Sequence, residues 1–222
     1  MVELGLPYIE VYKPKGNFQA LLADGVKEYL DANPGTLEGL ADAPLVNPEN
    51  APATEPSTFD AVQEDPPDRI IAPSESVKPW ITRNPRRIDF AARDAANRRL
   101  SKLGEDWVVE VERHRLLTLG RDDLAKKVEW VAQTIGDGLG FDVLSFDELD
   151  DSERLIEVKT TGLGKYFPFY VTVNELRCSE DVEQQFYLYR IFDFSRALRL
   201  FVLRGSLRVT CRLDAVQYRA TI

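Results

Sequence analysis

Two hydrophobic periods divide the chain. Between residues 86 and 117 apolar side chains recur every three or four positions, at Leu100, Leu103, Trp107 and Val111 and on to His114. The stretch is rich in Ala, Arg and Leu and has no proline. That spacing predicts one face of a helix, which Gly104 divides into two. A short helix is expected over 122–127. From residue 128 the period falls to two. Segments 128–132, 141–146, 154–160, 169–173, 186–192 and 198–203 read as strands, with 208–213 and 216–221 as edge strands. A helix starts at Asn174–Glu175, and Ser179 is a candidate cap for a second. Helices followed by a mostly antiparallel meander predict an α/β sandwich.

The first part of the chain reads differently. Residues 1–33 offer one alternating stretch (8–12) and one helical spacing (Phe18, Leu21, Leu22, Val26, Tyr29, Leu30), too little for a core. Ten of the 13 prolines fall between Pro34 and Pro85, so residues 34–82 read as an irregular acidic linker. The main domain spans 83–222.

Composition narrows the function. A chain of 222 residues with 44% hydrophobic side chains has enough material for one full domain. No run approaches the roughly 18 apolar residues of a membrane span, and the N-terminus lacks a secretory pattern, so a cytoplasmic protein away from membranes is expected. Two cysteines exclude a disulfide framework, and the single His114 excludes two-histidine metal motifs. The net charge of −9 argues against casual nucleic-acid binding. Yet the first 80 residues hold 14 acidic and 5 basic side chains, and the remainder is neutral. Within that remainder Arg83, Arg86, Arg87, Arg93, Arg98, Arg99 and Lys102 form a basic stretch. It is either a solvated helix face or a contact surface for phosphates.

The chemistry centres on Leu155-Ile156-Glu157-Val158-Lys159-Thr160. Alternation puts Ile156, Val158 and Thr160 on one face and Glu157 with Lys159 on the other. A turn between the strands at 141–146 and 154–160 pairs Asp142 with Glu157 if centred between 149 and 150. Centred between 150 and 151, it pairs Asp142 with Lys159. Either register brings two carboxylates and an amine together. A third acid comes from the helix, where Glu105 and Glu112 share a face. Close carboxylates repel unless a cation lies between them, and oxygen ligands suit Mg²⁺ or Mn²⁺. The plain alternative is a cross-strand ion pair between Asp142 and Lys159.

A helical Glu, a strand Asp and a following Glu-X-Lys resemble the PD-(D/E)XK nuclease superfamily. The chain from Arg83 to Ile222 more specifically resembles the NO VEIN C-terminal domain family. The shared features are the GE…E helix, VEW, GDGLGFD, IEVKTT and the Asn-Glu after FYVTV. The resemblance implies a PD-(D/E)XK nuclease-like sandwich with a mixed central sheet flanked by helices, plus a small N-terminal extension. It places the motif on Glu105 (Glu112 being the alternative), Asp142, Glu157 and Lys159. Phe141 stands where the superfamily usually has proline. By this resemblance Asp142, Glu157 and Glu105 would hold Mg²⁺ or Mn²⁺, and Lys159 would position or activate water.

The remaining features are weaker. The glycines of 136–140 fit a tight turn better than a phosphate loop. The segment 161–165 forms either a plain loop or a flap with Lys165 on substrate. Trp130 reads as core, Thr160 as a β-former, Asn174 as a helix start and His114 as a helix-surface residue. The expected function is a metal-dependent DNA endonuclease or nuclease-like DNA-binding protein of restriction or phage defence. DNA would be contacted by Arg86, Arg87, Arg93, Arg98, Arg99 and Lys165. The acidic N-terminal third would serve a partner protein, and a homodimer would supply the two sites of a double-strand break. The alternative is a non-catalytic assembly module on the same scaffold.

Overall fold

A computed structural model describes residues 59–67, 90–136, 138–194 and 197–213, without the side chains of residues 60 and 90–96. The expected strand at 8–12, the helix after it, most of the linker, Arg86, Arg87, the Arg93 side chain and the edge strand at 216–221 lie outside the described residues.

The helical period forms one element. Helix α2 runs unbroken from Phe90 to Thr118, so Gly104 does not divide it. The glycine serves packing instead: a methyl group there would overlap the Thr160 hydroxyl. Ahead of α2, the short helix α1 (Phe59–Val62) stacks Phe59 on Tyr189. A short helix α3 (Asp122–Ala125) follows α2.

Five strands make one mixed sheet in chain order: β1 (Glu129–Trp130), β2 (Val143–Phe146), β3 (Glu153–Thr160), β4 (Phe186–Phe192) and β5 (Arg199–Arg204). Three pairings are antiparallel and β3–β4 is parallel. The parallel pair needs a crossover, which contains helix α5 (Val173–Asp181). Helix α4 (Val131–Thr134) takes the residues expected to extend β1, with the Ile135 amide donating to the Val131 carbonyl at 2.9 Å.

The sheet is buried on both faces. Ile156, Val158, Tyr189 and Ile191 pack with Leu100, Val108 and Leu116 of α2 in the main core. Phe186 and Leu188 face the other way, onto Leu176 of α5 and Leu207 of helix α6 (Leu207–Thr210). The segment expected as an edge strand at 208–213 therefore begins as a helical turn, with Ser206 capping the Arg208 amide. The segment 169–173 is no strand either. Thr172 forms a capping box with Glu175, which starts α5 one residue before Asn174. Ser179 lies inside α5 and does not open a second helix there; its hydroxyl instead accepts the Leu207 amide at the start of α6, at 3.1 Å.

Candidate metal and phosphate cleft

The β2–β3 hairpin decides the register. Val143 pairs with Ile156 and Leu144 with Leu155, which sets Asp142 opposite Glu157. The other register, with Lys159 opposite, does not occur. The ladder stops one residue short of Asp142 and continues through its side chain. The Asp142 amide donates to the Ile156 carbonyl at 2.9 Å, and the Val158 amide donates to Asp142 Oδ2 at 2.8 Å. The carboxylate thus replaces a ladder acceptor, which fixes it against β3.

Alternation along β3 turns Glu157 and Lys159 away from the α2 side. Glu157 is buried, and its Oε1 lies 2.7 Å from Lys159 Nζ. The same ammonium reaches Glu175 Oε2 at 2.8 Å, while that oxygen also accepts the Thr172 amide at 3.1 Å. One carboxylate therefore caps α5 and holds the β3 lysine. Gly140 lets α5 come this close: its φ is +85°, and a Cβ there would stand 2.6 Å from the Asn174 carbonyl oxygen.

Glu105 enters from α2, one residue beyond the Gly104–Thr160 contact. Its Oε2 accepts the Trp130 indole N–H at 2.8 Å, so Trp130 positions an acid as well as packing on the core. Glu105, Asp142, Glu157, Lys159 and Glu175 line one cleft of about 840 Å³. Glu112, the alternative helical acid, does not. It is fully buried elsewhere, accepting from Ser145 and Tyr189 hydroxyls at 2.7 Å each and from Arg115 at 2.9 Å. Burial alone would raise its pKa, but the Arg154 and Arg115 guanidinium groups outweigh that and hold it low.

The cleft is of mixed charge, with Glu105, Asp142, Glu157 and Glu175 set among Lys159, Arg190, Arg98 and Lys102. Burial, then the Glu105 charge, pushes the Asp142 carboxyl up to about 7, although the Val158 amide and Lys159 oppose this. Lys159 is held charged: desolvation is outweighed by Glu157 and Glu175. Burial likewise raises the Glu157 carboxyl well above its ordinary value, against the pull of Lys159.

The basic residues are dispersed. Arg98 and Lys102 are exposed at the cleft rim, and Arg99 is exposed beside them. Lys165 instead pairs with Glu64 at 3.1 Å. His114 is exposed on α2. Sequence reasoning did not single out Arg190, Glu175's hold on Lys159, or Trp130's hold on Glu105. The Thr172-X-X-Glu175 spacing and the charge inside the apolar strand FYLYRIF were the available signals.

Whether these residues suit a divalent ion follows from the donor set. Among the described residues no three His, Cys, Asp or Glu side chains are grouped closely enough to hold a metal. Mg²⁺ needs less: one or two carboxylates, with water and substrate phosphate completing the shell. Asp142 opposite Glu157, with Glu105 and Glu175 lining the same cleft, fits that requirement in kind.

Residues 104–203 match the family model described as Protein NO VEIN, C-terminal. The NO VEIN C-terminal match runs from the glycine under Thr160 into β5, so it covers every acid of the cleft together with Lys159 and Arg190. No curated protein and no solved structure matches the chain. Among the described residues, no helix is long and apolar enough to cross a membrane.

Proposed function

We propose that the cleft is the site of a metal-dependent phosphodiesterase acting on DNA, built on a PD-(D/E)XK-like scaffold. The observation that carries this reading is the register that sets Asp142 opposite Glu157, with Lys159 two residues on along the same face. Asp142 and Glu157 would hold Mg²⁺ or Mn²⁺, and Glu105 would orient its water. When bound, such an ion offsets negative charge on the phosphate and makes water a better nucleophile. Lys159 is held protonated by two carboxylates. Its role is therefore to donate hydrogen bonds to the attacking water or the phosphate oxygens, not to abstract a proton. Arg98, Arg99 and Lys102 suit the flanking backbone phosphates. A place in restriction or phage defence, a protein partner for the acidic N-terminal third and a homodimer belong to the same proposal.

The test is cleavage of supercoiled and branched DNA in Mg²⁺ or Mn²⁺ by the wild type and Lys159→Ala. The reading expects metal-dependent nicking that falls at least 100-fold in the variant. Equal trace activity in both contradicts it. A second reading, a non-catalytic assembly module, is favoured by one observation: the Lys159 ammonium already bridges Glu157 and Glu175.

A further inference from the structure

Arg190 stands in the middle of β4, opposite Lys159 of β3 in the parallel pair, and is 2% exposed. Its hydrogen bonds go to two carbonyls, Lys159 O at 3.2 Å and Phe167 O at 3.0 Å. Its Nε is buried with no partner. The guanidinium lies 5.1 Å from the Phe169 ring centre, and burial pushes its pKa down to about 9. No carboxylate pairs with it among the described residues, while Lys159 beside it holds two.

Two carbonyls ask only for neutral donors, which an amide side chain supplies. Burying a full charge for that task is costly unless an anion completes it. The planar fork of arginine matches phosphate oxygens, and Arg190 lines the same cleft as Asp142, Glu157 and Lys159. We propose that Arg190 anchors a phosphate subsite in this cleft, with Nε and one terminal nitrogen donating to a phosphate oxygen pair. The loop at 161–172, which carries the Phe167 carbonyl and the Phe169 ring, forms the outer wall of the subsite. The identity of that phosphate as a nucleic-acid phosphate rests on the phosphodiesterase reading; the anion subsite itself does not.

The experiment measures melting temperature in EDTA against inorganic phosphate, for the full chain and for Arg190→Gln and Glu157→Gln. Phosphate near ten times its dissociation constant is expected to raise the wild-type value by about 3 °C or more. Glu157→Gln should keep that gain, and Arg190→Gln should lose it while melting no lower without phosphate. A gain that persists in Arg190→Gln overturns the proposal, since phosphate then binds elsewhere. If Arg190→Gln fails to fold, the Nε–H resonance of Arg190 in the wild type decides. A downfield shift with phosphate supports the subsite, and an unmoved signal refutes it. Cleavage assays separate the two readings. A phosphate gain that needs Arg190 in a protein that cuts no DNA keeps the subsite and removes the enzyme. Cutting by Arg190→Gln with unchanged KM does the reverse.

Discussion

Gly104 of α2 lies directly against Thr160 of β3: a Cβ on the glycine would stand 3.0 Å from the threonine Cβ and overlap its hydroxyl. The contact seats the helix at the end of the strand that carries Glu157 and Lys159, and it places Glu105 next in line. Thr160 Oγ1 is buried there without a hydrogen-bond partner.

Gly104→Ala is therefore a conflict of two effects. Alanine is favoured over glycine within a helix by about 1 kcal/mol, while overpacking costs about 1–3 kcal/mol. The expected outcome is a net loss in urea melts, at least halved in the Thr160→Ala background. A stabilised Gly104→Ala single variant would show that the helix does not bear on β3 here.

Asp142 carries a stability penalty that pH exposes. Its carboxyl titrates near 7 in the folded chain against an ordinary 3.8, so the folded state holds the extra proton between those values. Stability is then lost as pH rises through that window. In EDTA at pH 8, Asp142→Asn should be more stable than the wild type by about 2–4 kcal/mol, as three pKa units at 1.36 kcal/mol each set the ceiling. At pH 4 the two should coincide. Mg²⁺ should raise the wild-type melting temperature and leave Asp142→Asn unchanged, which calorimetry with and without the ion checks.

Glu112 behaves with the opposite sign. Its folded pKa is held below the ordinary 4.5, so its contribution is present above that value and is lost as pH falls through the lower one. Glu112→Gln should destabilise by about 2–4 kcal/mol at pH 7, because Arg115 and Arg154 lose a buried counter-charge. The gap should narrow below pH 4. Denaturant melts at pH 7 and pH 3 measure both ends.

How much of this was legible in the sequence depends on range. The Asp142–Glu157 pairing was one of two registers that a short hairpin allows, and period-two alternation did the rest. Glu105 was legible as one of two helical acids; burial among Arg115, Ser145 and Tyr189 is what removes Glu112 from the cleft. Arg190 and Glu175 come through the parallel crossover, and no local pattern says which later strand lies beside β3. At 169–173 the alternation was a false guide, because the Thr172–Glu175 capping box outweighs β-propensity. At Gly104 propensity suggested a break, and tertiary packing overrode it.

Glu64 reaches the cleft loop from outside the sheet. It pairs with Lys165 at 3.1 Å and lies 3.7 Å from Arg199, and its amide donates to the Leu200 carbonyl of β5 at 2.8 Å. Both partners are partly exposed, so Glu64→Gln should change stability by less than about 1 kcal/mol. If DNA is the substrate, freeing Lys165 should tighten binding several-fold at low salt, and Lys165→Gln should not. Fluorescence anisotropy at two salt concentrations tests this.

The most direct measurement is a crystal of the full chain soaked in Mn²⁺, with anomalous diffraction collected at the manganese edge. The account predicts a single strong peak between the Asp142 and Glu157 carboxylates, absent in Asp142→Ala. Manganese bound only at surface acids, with the Lys159 ammonium still bridging Glu157 and Glu175, would contradict it.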